Sequence, residues 1–156
     1  MTCGLLLAAV SALSSLPWLG DGRALDLSHG GWTNDAPAAV FRASFELPAG
    51  TPKAKVTAAV LGYYELYLDG KPLTEIAPMP LQSVFRKTIW ADEYEVRVKD
   101  GVHRLELRLG NGWYNIPTVK MWGKFTFRDA LSSGKPCFKL AVDGVRKLDW
   151  TWTESD

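Results

Sequence analysis

The sequence predicts an all-β fold, a jelly-roll-like antiparallel β-sandwich. Two observations carry this prediction: apolar and polar residues alternate over many short segments, and turn-forming Asp-Gly and Asn-Gly pairs separate those segments. Strict alternation is typical of strands that have one face on the core and the other in water. With 156 residues and 47% hydrophobic content, the chain has about the length of one domain.

The alternation defines six strands in chain order. They are predicted at residues 40–47, 53–60, 64–69, 94–99, 104–109 and 138–143. In the first of them, Phe41, Ala43 and Phe45 share one face, and the residues between them are polar. The pairs Asp69-Gly70 and Asp143-Gly144 each lie between two alternating runs. We interpret both as hairpin turns, because these residue types tolerate the positive φ that tight turns demand.

The N-terminal segment has the character of an export signal. Residues 5–19 are uncharged and almost wholly apolar, and they are too short for a membrane span of about 20 residues. Gly22 and Ala24 supply small residues where a signal peptidase would cut. We therefore predict a signal peptide at residues 1–24, a domain at residues 25–156, and a secreted or periplasmic protein. The alternatives are a first strand or helix of the fold, or a wrongly chosen start codon, since no Lys or Arg precedes the apolar run.

Charge and motif content exclude several classes of function. The chain has 18 Lys plus Arg and 17 Asp plus Glu, a net charge of +1, which argues against nucleic-acid binding. His29 and His103 lie in no nucleophile motif, and we interpret His103 as a residue on the apolar side of its strand. The acidic cluster of Asp92, Glu93 and Glu95 is typical of a solvated rim. We therefore predict no catalytic residue.

Residues 109–114, with the sequence Leu-Gly-Asn-Gly-Trp-Tyr, are the candidate binding site. Glycines on both sides of Asn111 permit a tight turn, and Trp113 and Tyr114 follow at once. An aromatic face beside an amide suits a sugar, because the ring covers the C–H face while polar groups bind hydroxyls. Trp122 is a further candidate for the same site. The alternative is that Trp113 and Tyr114 plug the end of the sandwich.

Several segments together resemble the N-terminal β-sandwich domain of bacterial α-L-rhamnosidases, which are inverting glycoside hydrolases with an (α/α)6 catalytic barrel. The matching residues are 41–47, 61–71 (Leu-Gly-Tyr-Tyr-Glu-Leu-Tyr-Leu-Asp-Gly-Lys), 85–88, 94–96 and 109–114. The resemblance runs from about residue 40 to the C-terminus. It implies a sandwich that precedes the catalytic barrel, and it makes residues 139–156 the last hairpin of the domain.

The resemblance also implies what this chain does not carry. The catalytic acids of these enzymes lie in the barrel, so none is transferred to this chain, which is not predicted to be an enzyme on its own. In some members a related sandwich binds rhamnose with the help of calcium. Asp69 and Asn111 are the candidate calcium ligands, because hard cations prefer such oxygens. After Tyr114 the family pattern is replaced by Asn115-Ile116-Pro117, so the resemblance implies no ligand contacts beyond Tyr114.

Three functions follow from these observations. The first is an accessory module that binds rhamnose-containing carbohydrate through Asn111 and Trp113. The second is a structural domain that packs on a catalytic barrel, with Trp90, Trp150 and Trp152 as candidates for either the docking surface or the core. The third, unaided glycoside hydrolysis, is disfavoured because no acid/base pair is evident. The predicted partners are carbohydrate and a barrel domain, with no nucleic acid and no membrane span.

Overall fold

A computed structural model describes residues 13–23, 37–74, 85, 87–116, 120–121, 125–126, 128 and 133–155. Within these residues the chain forms ten strands. They are β1 (Ala39–Glu46), β2 (Lys53–Leu61), β3 (Tyr63–Leu68), β4 (Lys71–Pro72), β5 (Ala91–Arg97), β6 (Val102–Gly110), β7 (Lys120–Met121), β8 (Phe125–Thr126), β9 (Cys137–Val142) and β10 (Thr151–Glu154). All the pairings between them are antiparallel.

The strands form two facing sheets, which confirms the predicted β-sandwich. The larger sheet has the order β10-β1-β6-β3-β4 and the smaller one the order β5-β2-β9, while β7 and β8 form a separate pair. The residues that the alternating pattern assigned to the inner face form the core. They include Phe41, Val56, Leu66, Leu107 and Phe138. Each of them is at most 3% exposed. The period-two pattern therefore identified the core correctly.

Strand β2 departs from this pattern, because its outward residues are also buried in its second half. Thr57, Ala59 and Leu61 face away from the larger sheet, yet they are only 4%, 7% and 7% exposed. The expectation of one dry and one wet face is therefore wrong for this half of β2. These side chains are small or apolar, as covered positions require, whereas Lys53 and Lys55 at the other end form ion pairs with β5.

The interpretation of Asp143-Gly144 as a hairpin turn is wrong. A turn does form there, with the Val145 N–H donating to the Val142 carbonyl at 3.0 Å. The chain then crosses between the sheets: β9 pairs with β2, whereas β10 pairs with β1. Just before β10 begins, the Trp150 ring packs edge-on against Phe138 of β9 at 5.2 Å. Residues 139–156 are therefore not a hairpin. The other predicted turn, Asp69-Gly70, does join paired strands, β3 and β4.

A ladder of charged and polar side chains covers the outer face of the larger sheet. Arg42 of β1 contacts Glu106 of β6 at 2.9 Å and the Thr153 hydroxyl of β10 at 3.0 Å. Arg108 contacts Glu106 at 3.0 Å and lies over the ring of Tyr67 at 5.0 Å. Arg108 also lies 3.9 Å from the Glu65 carboxylate of β3, so the two arginines of the ladder face two glutamates.

The structure describes residues 13–23 of the predicted signal peptide at residues 1–24. Residues 1–12 and Ala24 lie outside the described residues, as does His29. Residues 13–23 contact the sandwich, where Leu19 forms a β-bridge with Phe138. Among the described residues, no helix has the length and apolar character needed to cross a membrane.

Candidate functional site

The candidate site is a tight turn at the end of β6. The strand ends at Gly110, Asn111 takes a helical conformation with φ −67°, and Gly112–Tyr114 form a single 3-10 turn. The Asn115 N–H closes the turn by donating to the Asn111 carbonyl at 3.1 Å. The predicted turn at Asn111-Gly112 is thus present, and it directs Trp113 and Tyr114 away from the strand.

Two glycines bring this turn against the turn between β2 and β3. At Gly62, which has φ +129°, a Cβ would lie 2.5 Å from the Gly110 carbonyl oxygen. At Gly112, which has φ +51°, a Cβ would lie 2.7 Å from the Tyr63 ring. Neither position has room for a side chain, and both have a backbone conformation that favours glycine. The position of Trp113 is therefore set by contact between two backbone turns.

A hydrogen-bond network holds the polar side of the turn. The Asn115 Nδ2 donates to Asn111 Oδ1 at 2.7 Å, and Arg128 Nη1 donates to Asn115 Oδ1 at 2.8 Å. Arg128 also donates to the Ile116 carbonyl at 2.9 Å. No pattern in the sequence indicated Asn115 or Arg128 as a residue of the site. Arg128 lies 13 residues from its partner, too far for any local pattern to indicate the contact.

The structure separates the roles of the two predicted aromatic residues. Trp113 is 45% exposed, so its indole is available to a ligand. Tyr114 packs edge-on against Phe85 at 4.9 Å, and a Cβ at Gly134 would lie only 2.7 Å from its hydroxyl. Burial raises the pKa of Tyr114 above its ordinary value. The binding interpretation thus suits Trp113, and the alternative of an end plug suits Tyr114.

Of the remaining predicted residues, only Asp69 can be placed relative to Asn111 and Trp113. Trp122 lies outside the described residues. Asp69 is at the other end of β3, where Leu68 pairs with Leu105, whereas Tyr63 pairs with Gly110 beside Asn111. At roughly 3.3 Å per residue, this separation is about 20 Å.

Asp69 and Asn111 therefore do not fit one calcium site. Both carboxylate oxygens of Asp69 are engaged, Oδ1 by the Arg104 N–H and Oδ2 by His103, each at 2.8 Å. Asn111 Oδ1 accepts the hydrogen bond from Asn115. Over the described parts of the chain, no group of three His, Cys, Asp or Glu side chains is placed to hold a metal ion.

Several titratable side chains of the described residues have partners within the sandwich or are buried in it. His103 is buried on the inner side of β6, as predicted, and its two ring nitrogens contact Asp69 and the Lys99 carbonyl, each at 2.8 Å. Glu93 and Glu95 pair with Lys55 and Lys53 on the outer face of the smaller sheet. Burial raises the pKa of the Cys137 thiol to about 11, which keeps it in the unreactive protonated form.

A groove of about 640 Å³ opens between β4 and β5, at the end of the sandwich opposite Trp113. Its volume is within the usual range for small-molecule sites. It is lined by Asp69, His103, Tyr94 and neighbouring residues, but by none of the predicted aromatic candidates. Its acidic groups are already paired with basic side chains.

Comparisons with known proteins agree with the fold, and the family match contains four of the five segments that carried the resemblance, all except residues 41–47. The model of the alpha-L-rhamnosidase N-terminal domain family matches residues 50–145. No curated protein matches the chain.

Among solved structures, the chain is similar to the alpha-L-rhamnosidase from Dictyoglumus thermophilum, with 27% identity and a TM-score of 0.51. It is also similar to the Streptomyces avermitilis alpha-L-rhamnosidase complexed with L-rhamnose, with 25% identity and a TM-score of 0.58. In both cases 76% of this chain aligns with 12% of the other chain. The alpha-L-rhamnosidase from Aspergillus terreus has the same fold at 15% identity, with a TM-score of 0.64, where 85% of this chain covers 16% of that one. The chain therefore spans about an eighth to a sixth of the length of these relatives.

Proposed function

The chain belongs to the alpha-L-rhamnosidase N-terminal domain family, and from this membership we propose that it is a non-catalytic accessory domain that contributes to the binding of rhamnose-containing carbohydrate. The observation that carries the proposal is the exposure of the Trp113 indole, at 45%, beside a turn whose polar groups are fixed. A large aromatic side chain left in water at a rigid position is the usual platform for a sugar ring.

The fixed geometry of the turn supports binding. Asn111 and Asn115 hold each other through their side chains, and Arg128 holds Asn115. Because the turn also rests on the backbone at Gly62, Trp113 loses little conformational freedom when a ligand covers it. Binding by one exposed ring and a few amides is weak, and we expect dissociation constants of roughly millimolar size.

The test is a calorimetric titration of the full chain with L-rhamnose, with calcium and again with a chelator. We expect heat of binding in the wild type and none in Trp113→Ala. Trp152→Ala is the matched control, because Trp152 is 40% exposed but lies on β10, where Arg23 covers its ring. Binding that survives in Trp113→Ala would exclude the turn and favour the groove between β4 and β5. Absence of heat in every arm would exclude rhamnose binding by this domain.

The second candidate is a structural domain that packs on a catalytic barrel. It is favoured by the exposure of Trp90, at 56%, and by the small share of the rhamnosidase chains that this chain covers. Under this proposal the catalytic barrel would cover the exposed side chains of Trp90 and Trp113. The two candidates differ in the isolated chain, since only the first predicts heat on addition of sugar.

A further inference from the structure

Residues 13–23 run across one side of the sandwich, the side where the edge strands β9 and β10 lie. The Leu19 N–H donates to the Phe138 carbonyl and the Phe138 N–H donates to the Leu19 carbonyl, each at 2.9 Å. Phe138 is fully buried between Phe41 and Trp150. The backbone of Leu19 thus pairs with the edge of β9 that does not face β2, at the fully buried residue Phe138. The side chain of Leu19 packs against the core.

Trp18, the residue before Leu19, contacts the outer face of the smaller sheet. The Trp18 ring is 5.1 Å from the Lys139 ammonium, and Lys139 is the register partner of Ala59 on the outward side of β2. Leu13, at 5% exposure, is as buried as a core residue. Ala59 belongs to the second half of β2, where the outward residues are also buried. Trp18 therefore lies near a part of the sheet whose outward side chains are small or apolar.

The part after Leu19 reaches the larger sheet through Arg23. Its guanidinium contacts Asp21 at 2.7 Å, Glu154 of β10 at 3.2 Å and the Pro37 carbonyl at 3.0 Å. It also lies 5.5 Å from the centre of the Trp152 ring. One side chain therefore joins the segment to the edge strand of the other sheet and covers the indole exposed there.

We propose that residues 13–23 are a structural strap of the folded domain, held by Leu19 on β9 and by Arg23 on β10. The strap closes one side of the sandwich and occupies the unpaired edge of β9, which would otherwise be a template for pairing with a second copy. The proposal places the start of the domain at or before Leu13. It also opposes cleavage after Ala24, because that cut would separate both attachments from the chain.

Amide hydrogen exchange by NMR on the full chain tests the strap at single residues. The Phe138 N–H faces away from β2 and donates to Leu19, so its protection reports the strap directly. Successive residues of an antiparallel strand alternate between their two neighbours, so the Lys139 N–H bonds to β2 and is the internal control. We expect both amides to be protected. A Phe138 amide that exchanges at the rate of an unstructured peptide, with Lys139 protected, would overturn the proposal.

Arg23→Glu tests the second attachment, since it replaces the contacts to Asp21 and Glu154 with repulsion. The loss of charge-assisted hydrogen bonds should speed exchange at Phe138 by about tenfold and leave Lys139 unchanged. Arg146→Glu makes the same charge change at an exposed site and should change neither amide. Equal effects of the two substitutions would overturn the role of Arg23.

N-terminal sequencing of the folded protein from cells that express the full chain supplies a further test, and a mature chain that begins at Leu25 would overturn the proposal.

Discussion

Tyr64 and Asp92 join the two sheets through a hydrogen bond inside the sandwich. The Tyr64 hydroxyl, on β3 of the larger sheet, donates to the Asp92 carboxylate on β5 of the smaller sheet at 2.8 Å. Tyr94, also on β5, lies 2.7 Å from the same hydroxyl oxygen. Because Tyr64 uses its proton for Asp92, Tyr94 must be the donor in the second bond. Burial raises the pKa of Tyr64 far above its ordinary value, so the hydroxyl stays protonated as the network requires.

Tyr64→Phe should therefore destabilise the domain by about 1–3 kcal/mol, since it leaves the Tyr94 hydroxyl and Asp92 short of a partner between the sheets. Tyr67→Phe is the matched control, because the Tyr67 hydroxyl donates to Glu65 on the outer face, where water can replace it. That control should cost less than about 0.5 kcal/mol. Urea unfolding of the three proteins gives the comparison, and equal losses for the two variants would contradict the assigned role of Tyr64.

His103 should make the stability of the domain depend on pH. Both of its ring nitrogens face acceptors, Asp69 and the Lys99 carbonyl, so the ring is held as an imidazolium. The hydrogen bond to Asp69 raises the pKa of His103 against the opposing effect of burial, and the Lys99 carbonyl adds to the rise. Its stabilising effect is complete below the unfolded pKa of about 6.5 and is lost as pH rises through the folded pKa.

The pKa of Asp69 is shifted in the opposite direction. Partial burial raises it, but the hydrogen bonds from His103 and the Arg104 N–H outweigh burial and hold it below its ordinary value. Its contribution is present above the unfolded pKa of about 3.9 and is lost as pH falls through the folded pKa.

The pair should therefore stabilise the fold most between about pH 4 and 6.5. The difference in unfolding free energy between wild type and His103→Gln, measured in urea from pH 5 to 9, should shrink as pH rises. A constant difference across that range would show that the pKa of His103 is the same in the folded and unfolded states, and a difference that grows with pH would show that His103 is neutral in the folded state.

Gly62→Ala should damage the end of the sandwich that carries Trp113. A methyl group there would lie 2.5 Å from the Gly110 carbonyl oxygen and would also face a φ of +129°. Gly50→Ala is the control for backbone strain alone, since its φ is +78° and nothing lies within 4 Å of the added carbon. We expect a cost of about 1 kcal/mol for Gly50→Ala and more than about 2 kcal/mol for Gly62→Ala.

Thermal unfolding separates the two glycine variants, and near-UV circular dichroism reports whether the indole environment changes in Gly62→Ala. If both variants melted at the same temperature, the close approach of the two turns would not constrain the site.

Asn115→Ala should weaken both stability and carbohydrate binding. Asn115 is 7% exposed and lies between Asn111 and Arg128, so its loss removes the donor to Asn111 Oδ1 and one of the two acceptors of Arg128 Nη1. The expected destabilisation is about 1–3 kcal/mol. Asn115→Asp keeps an acceptor for Arg128 but lacks the donor to Asn111, so it should recover only part of the lost stability. Calorimetric titration with L-rhamnose would show lower affinity for Asn115→Ala, and unchanged affinity would mean that the turn does not position the ligand.

The core and the sheet-forming segments were predictable from the sequence because alternation is a local signal. Phe41, Leu66 and Leu107 are identified by their neighbours alone, and the structure confirms them. The connection after Asp143 was not predictable, because the pairing of β10 with β1 joins residues that lie far apart in the sequence. The same holds for the site: the sequence indicated Asn111 and Trp113, but the support from Arg128 arises only through distant residues.

The charged ladder on the outer face of the larger sheet restricts where another domain could sit. A partner placed there would strip water from Arg42, Glu106 and Arg108, which already form ion pairs with one another. Removing water from paired charged side chains costs free energy, and new contacts with a partner seldom offset that desolvation cost. A neighbouring catalytic domain would therefore meet this one through its ends or its smaller sheet, and the broad face would remain in solvent.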